Sequence, residues 1–272
     1  MITSFLKKKS GRRSLIAILT VLTVFGAGAV AYATHSWGNY HWARTANPFT
    51  LKLGDNVSIA WDAYLGEASS DWSQSSVLDT AIVAGNTDPR KCKATSGRVE
   101  VCSAKYGFNG WLGVAQIWVS GSHIAKAVAK MNDSYFNTAT YNTPPWRRLV
   151  MCQEIAHTFG LDHQDEDFYN ANLGTCMDYT ADPDGPPSNE HPNTHDFEQL
   201  ALIYEHLDSS TTVGADAPSG PGKSGLAAVD VSEPGEWGQV LRRDGKGNPS
   251  LYKRDLGNGE KVFTFVFWAD EK

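Results

Sequence analysis

Positive charge is scarce in this chain once its first 33 residues are set aside. They hold five of the 24 basic side chains (Lys7, Lys8, Lys9, Arg12 and Arg13) and no acidic one, so 19 basic face 30 acidic residues in the remainder, a net charge of −11. Such a surface repels polyanions, and nucleic acid is not an expected partner. Hydrophobic residues make up 41% and charged residues 20%, ordinary values that exclude global disorder and a multi-span membrane protein. No internal repeat is present. Cysteine is limited to Cys92, Cys102, Cys152 and Cys176, with no CxxC pair on which to build a Cys2His2-type zinc site.

What is there begins with an export signal. A basic n-region precedes the apolar run Leu15–Val30, and Ala31-Tyr32-Ala33 is a small-x-small cleavage site. This order predicts a secretory signal peptide over residues 1–33 cut after Ala33; an uncleaved single-span anchor is the alternative, for which the run is slightly short. In either case the remainder faces the outside. With cleavage the expected product is secreted, free of the membrane and monomeric. In an oxidising compartment four cysteines predict two disulfides with three connectivities. Cys92–Cys102 stapling a hairpin-like loop, together with Cys152–Cys176, is the favoured set.

Periodicity supplies a coarse map. Phe49–Leu53 alternates as a half-buried strand does, Val57–Trp72 has helical spacing, and Val77–Val83 returns to strand. Cys92–Tyr106 reads as a hairpin, Gly113–Val119 and Ile124–Met131 as strands. Thr143-Pro144-Pro145 is a helix start, and Trp146–Phe159 runs unbroken to Gly160, a natural residue to follow a helix C-terminus. Its apolar residues lie all around the helix, which predicts burial. Asp196–Leu207 shows an amphipathic face. Val213–Gly225 is a Gly/Pro/Ser/Ala-rich linker, and three strand-like stretches, Gly238–Arg243, Ser250–Asp255 and Lys261–Trp268, read as a β-meander. The expected division is a domain over 34–208, a linker over 209–230 and a small β module over 231–272.

The buried helix carries the chemistry. It reads Gln153-Glu154-Ile155-Ala156-His157-Thr158-Phe159-Gly160-Leu161-Asp162-His163, which matches four of the five diagnostic positions of H-E-x-x-H-x-x-G-x-x-H. Residues 153 and 157 are i and i+4 and share one helix face, so both can reach one ion. Glu154 sits beside them, and Gly160 lets the chain turn out of the helix and bring His163 back as a third ligand.

On these residues the chain resembles the metzincins, and within them the matrixin-like secreted peptidases. The resemblance covers roughly 49–208. It implies an α+β fold with a twisted, mostly parallel sheet, an active-site helix, a Met-turn at Met177 within Gly174-Thr175-Cys176-Met177-Asp178-Tyr179, and a closing helix. It also implies one catalytic zinc held by His157 and His163, Glu154 as general base toward metal-activated water, and a protein or peptide substrate lying along a cleft-edge strand at Gly113–Val119. Cys152–Cys176 would tie the active-site helix to the Met-turn. Matrixins are usually made with a cysteine-bearing propeptide, whereas here only residues 34–48 separate the cleavage site from Phe49 and no cysteine precedes Cys92.

Gln153 stands where the family has its first zinc histidine. Three readings follow: the amide oxygen binds zinc as a weak, uncharged ligand; Gln153 orients a water or a neighbouring ligand; or zinc is lost. The first two make a secreted metalloendopeptidase, the third an exported non-catalytic binding protein on the same scaffold. Retention of Glu154 favours a cation, because a buried carboxylate without a partner costs several kcal/mol; an ion pair with Arg147 or Arg148 is the structural alternative. Asp162, Asp165, Glu166 and Asp167 are a candidate calcium set or a solvated acidic loop. Asn56-Val57-Ser58 and Asn132-Asp133-Ser134 are glycosylation sequons.

Overall fold

The computed structural model describes residues 34–215 and 231–270. The signal segment and most of the linker lie outside the described residues. No described helix is long and apolar enough to cross a membrane.

Nine strands form one sheet among the described residues: β1 (His41–Trp42), β2 (Phe49–Asn56), β3 (Leu78–Ala84), β4 (Val99–Ala104), β5 (Trp111–Ser120), β6 (His123–Asn132), β7 (Gln239–Arg243), β8 (Pro249–Gly257) and β9 (Glu260–Trp268). The order is β3-β2-β4-β6-β5-β9-β8-β7, with β1 added to the start of β6. The β3-β2-β4-β6 part is parallel, and everything from β6 through β5 and β9 to β7 is antiparallel. Among the described residues four α-helices accompany it: α1 (Asp62–Trp72), α2 (Asp133–Phe136), α3 (Pro144–His157) and α4 (Thr194–Ile203). The fold is mixed α+β, with a parallel half and an antiparallel half in one sheet.

Two sequence expectations are corrected here. Cys92–Tyr106 is not a hairpin: only Val99–Ala104 is strand, and it pairs parallel with β2 and β6. Every residue of β4 is buried, so the alternation that marks a half-exposed hairpin strand is missing, and its partners are distant in sequence. The second concerns α4, which starts at Thr194 because Asn193 and Asp196 form a capping box, and stops at Ile203, leaving Leu207 exposed outside the helix.

The C-terminal strands continue the main sheet. On β9, Phe263, Phe265 and Phe267 alternate toward the main core, while Val262 and Val266 face a smaller core with Trp111, Val114, Trp118 and Trp237. β5 and β6 are covered on both faces, and their near-continuous apolar character follows from that.

Candidate metal centre

Helix α3 starts as its sequence dictates. Thr143 is extended at the N-cap, and two prolines fill the first turn, where a missing N–H costs nothing. At the far end the chain bends at Gly160, whose φ is +102°. A Cβ there would stand 2.6 Å from the Tyr40 carbonyl oxygen, so this bend requires glycine.

The last carbonyls of the helix would be orphaned by that bend. Aromatic side chains satisfy them: Trp37 Nε1 donates to His157 O (3.1 Å), Trp42 Nε1 to Thr158 O (2.8 Å), and the Tyr204 hydroxyl to Phe159 O (2.8 Å). Trp37 and Trp42 precede the first strand-like stretch of the sequence, and only their partners give them a role.

The bend returns His163 to His157. Their Nε2 atoms lie 2.9 Å apart. The other nitrogen of each ring is already engaged: His157 Nδ1 is 2.9 Å from Leu161 O, and His163 Nδ1 is 2.6 Å from Glu166 Oε1. Both acceptors call for protonated Nδ1 atoms, which leaves the two Nε2 atoms facing each other, where one shared proton or one cation must sit between them. A cation there satisfies both nitrogens, and the outer acceptors fix the tautomers as they do for metal-bound histidines.

Gln153 is fully buried, and its Nε2 donates to Cys176 O at 2.8 Å. Oε1 has no partner among the described residues. Cys176 precedes Met177, which is buried, so the turn over residues 174–179 stands beside the Gln153 amide; Thr175 Oγ1 accepts from Met177 N (3.0 Å), and Met177 O accepts from Gln164 N (2.6 Å). The Cys152–Cys176 disulfide joins α3 to this turn, and Cys92–Cys102 closes the second bridge. Two disulfides fit an extracellular protein.

Glu154 is 1% exposed, and neither carboxylate oxygen has a hydrogen-bond partner among the described residues. Burial pushes its pKa well above the ordinary carboxylate value. Neither arginine considered from sequence reaches it: Arg147 bonds Phe136 O and Asn142, and Arg148 pairs with Glu67 and Glu190. Glu154 faces β5 instead, where a Cβ at Gly113 would lie 2.4 Å from Oε1. The two facing imidazoles are ligands of the kind a zinc-type ion takes, and on the same helix the Gln153 amide oxygen and the Glu154 carboxylate have no hydrogen-bond partner among the described residues.

Three further expectations change. Gly113–Val119 is not a free edge, because β9 pairs along all of β5, with Ala115 opposite Phe265 and Gly113 opposite Phe267. The Phe263/Phe265/Phe267 alternation makes β9 a buried strand, and Phe265 stacks on His157. Calcium finds no support in the acidic run: the Arg242 guanidinium of β7 pairs with both Asp162 and Glu166, and Asp165 and Asp167 accept local bonds. Both sequon asparagines are buried with their amide nitrogens engaged, so neither is presented as a glycosylation acceptor in the folded chain.

No known family model matches the sequence, and no curated protein sequence matches it. Among solved structures the chain is similar to myroilysin, at 10% identity and a TM-score of 0.35, over 61% of this chain and 97% of that one.

Proposed function

We propose that the chain is an exported zinc-dependent endopeptidase of the metzincin-like kind, kept closed in the described state by its own C-terminal strand. The observation that carries this reading is the meeting of two imidazoles, His157 and His163, at the end of a helix that also holds the unpartnered Glu154 carboxylate. His157, His163 and Gln153 Oε1 would hold the zinc. When bound, the ion supplies Lewis acidity toward a carbonyl and water.

The chain's own groups do the rest. Glu154 takes a proton from water as the water oxygen bonds to the peptide carbonyl carbon. It returns that proton to the amine nitrogen as the carbon–nitrogen bond breaks. A carboxyl raised by burial is suited to both transfers. Substrate backbone would lie along β5, the place β9 now fills, so turnover requires β9 to move aside.

That cover is the observation favouring the second reading, a non-catalytic exported binding protein on the same scaffold. Gln153 and His157 are fully buried, and Phe265 lies flat on the His157 ring. Zinc content together with casein cleavage by wild type and Glu154→Gln separates the two. Bound zinc with cleavage that falls about a hundredfold or more in Glu154→Gln supports the peptidase. Equal cleavage by both proteins, or a zinc-free chain, overturns it.

A further inference from the structure

A second group of histidines lies away from α3. We propose that His41, His123, His206 and Asp208 form a distinct metal site for a divalent transition ion of the zinc type, which fastens the N-terminal strand to the chain leaving α4.

The sheet itself sets up the pair. β1 joins β6 in parallel with His41 directly opposite His123. The chain leaving α4 brings His206 and Asp208 to the same point. Asp208 Oδ1 lies 3.1 Å from His123 Nε2, 3.4 Å from His41 Nε2 and 3.8 Å from His206 Nε2, and the His206 and His41 Nε2 atoms are 3.2 Å apart. In a tetrahedral zinc site with bonds of about 2.0–2.2 Å, neighbouring ligand atoms sit about 3.3–3.5 Å from one another. His41, His123 and Asp208 offer ligand atoms that all lie within 4.8 Å of one another, near enough for one ion to draw together, and His206 stands beside His41 as the further ligand.

Hydrogen bonds link the cluster in pairs, His123 with Asp208 and His206 with His41, and His41 Nε2 still faces Asp208 Oδ1 at 3.4 Å. Three imidazole nitrogens crowd one carboxylate oxygen, and two of them also face each other. The surroundings have the form that metal-binding histidines take: His41 Nδ1 lies 2.8 Å from Asn39 O, which places the proton on Nδ1 and leaves the Nε2 lone pair for an ion. Asp208 Oδ2 accepts from Arg44 Nη1 (3.0 Å) and Arg44 N (3.2 Å), so Oδ1 remains as a single anionic ligand. Three imidazoles and one carboxylate oxygen suit zinc rather than calcium or magnesium, which prefer all-oxygen shells. Access is open, since the side chains of His206 and His123 are 58% and 34% exposed.

Such an ion would act as a clamp. The strand it holds belongs to the segment whose Trp37 and Trp42 cap the end of α3. The inference stands apart from the peptidase reading and survives its failure.

Zinc titration of the intact, chelator-stripped protein tests it, with bound equivalents counted for wild type, His123→Ala and His206→Ala. His123→Ala should bind one equivalent fewer than wild type. His206→Ala should weaken the same equivalent roughly ten- to hundredfold, and both variants should lose part of the zinc-induced rise in Tm. Equal uptake at equal affinity in His123→Ala overturns the site. Should His123→Ala fail to fold, the exposed His206 carries the test, and unchanged zinc affinity in His206→Ala overturns it.

Discussion

The ring of Phe265 lies 4.1 Å from the imidazole of His157, with 13° between their planes. One residue is near the end of the sheet's last strand in sequence, the other near the end of the central helix, and their stacking is what closes the candidate metal centre. Phe265→Ala should lower the free energy of unfolding by about 3–5 kcal/mol, the usual cost of emptying a buried phenylalanine site. Urea unfolding measures it. On the peptidase reading, the same variant cleaves casein faster per folded molecule, because the cover over His157 is gone.

On the peptidase reading, Gln153→His replaces an uncharged oxygen donor by an imidazole directed at the same ion. Zinc affinity should rise about tenfold or more, read by competition with a chromophoric chelator. An unchanged affinity would mean that position 153 does not look at the metal.

Glu154 sets a pH dependence whose sign follows from its burial. Its folded pKa is raised, so in chelator-stripped protein the folded chain keeps a proton that the unfolded chain releases above its ordinary value of 4.5. The associated stability is fully present below that value and is lost as pH rises toward the folded pKa. Glu154→Gln has no such proton, so its stability should change less between pH 4 and pH 8, with an advantage over wild type on the order of 1 kcal/mol or more at pH 8. Denaturant midpoints at the two pH values decide this, and parallel curves would refute the assignment.

Asp178 supplies a second, milder case. Burial, opposed by bonds from Leu173 N and Asn189, lifts its pKa from 3.8 to about 6. Its contribution should therefore be lost as pH climbs from about 4 to about 6, and Asp178→Asn should flatten that part of the stability profile. Thermal melts across this window compare the two proteins.

Removing the Cys152–Cys176 bridge frees a loop with a sequence separation of 24 residues. A Cys152→Ser, Cys176→Ser double variant should lose about 2–4 kcal/mol. It should also bind zinc less tightly, since the bridge holds the Met-turn carbonyl that orients the Gln153 amide.

Local features were the legible ones. Thr143-Pro144-Pro145 and Gly160 bound the central helix in the sequence, and the structure places its helical span from Pro144 to His157. The spacing of His157 and His163 across a glycine bend was enough to expect their nitrogens to meet. Strands with one exposed face, such as β2 with Phe49, Leu51 and Leu53 turned inward, also declared themselves by alternation. β4 did not, because it is buried on both faces and has lost the alternation that reveals a strand's partner side.

What the sequence determined by itself is therefore what a helix and one tight bend enforce over a dozen residues: two imidazoles converging on each other. Only the tertiary structure decided that β9 pairs with β5 and seals this centre, and that His41, His123, His206 and Asp208 meet at all. The reason is chain separation. Register within a helix is set by its own hydrogen bonds, whereas contacts between residues scores of positions apart depend on which buried faces find each other when the sheet assembles.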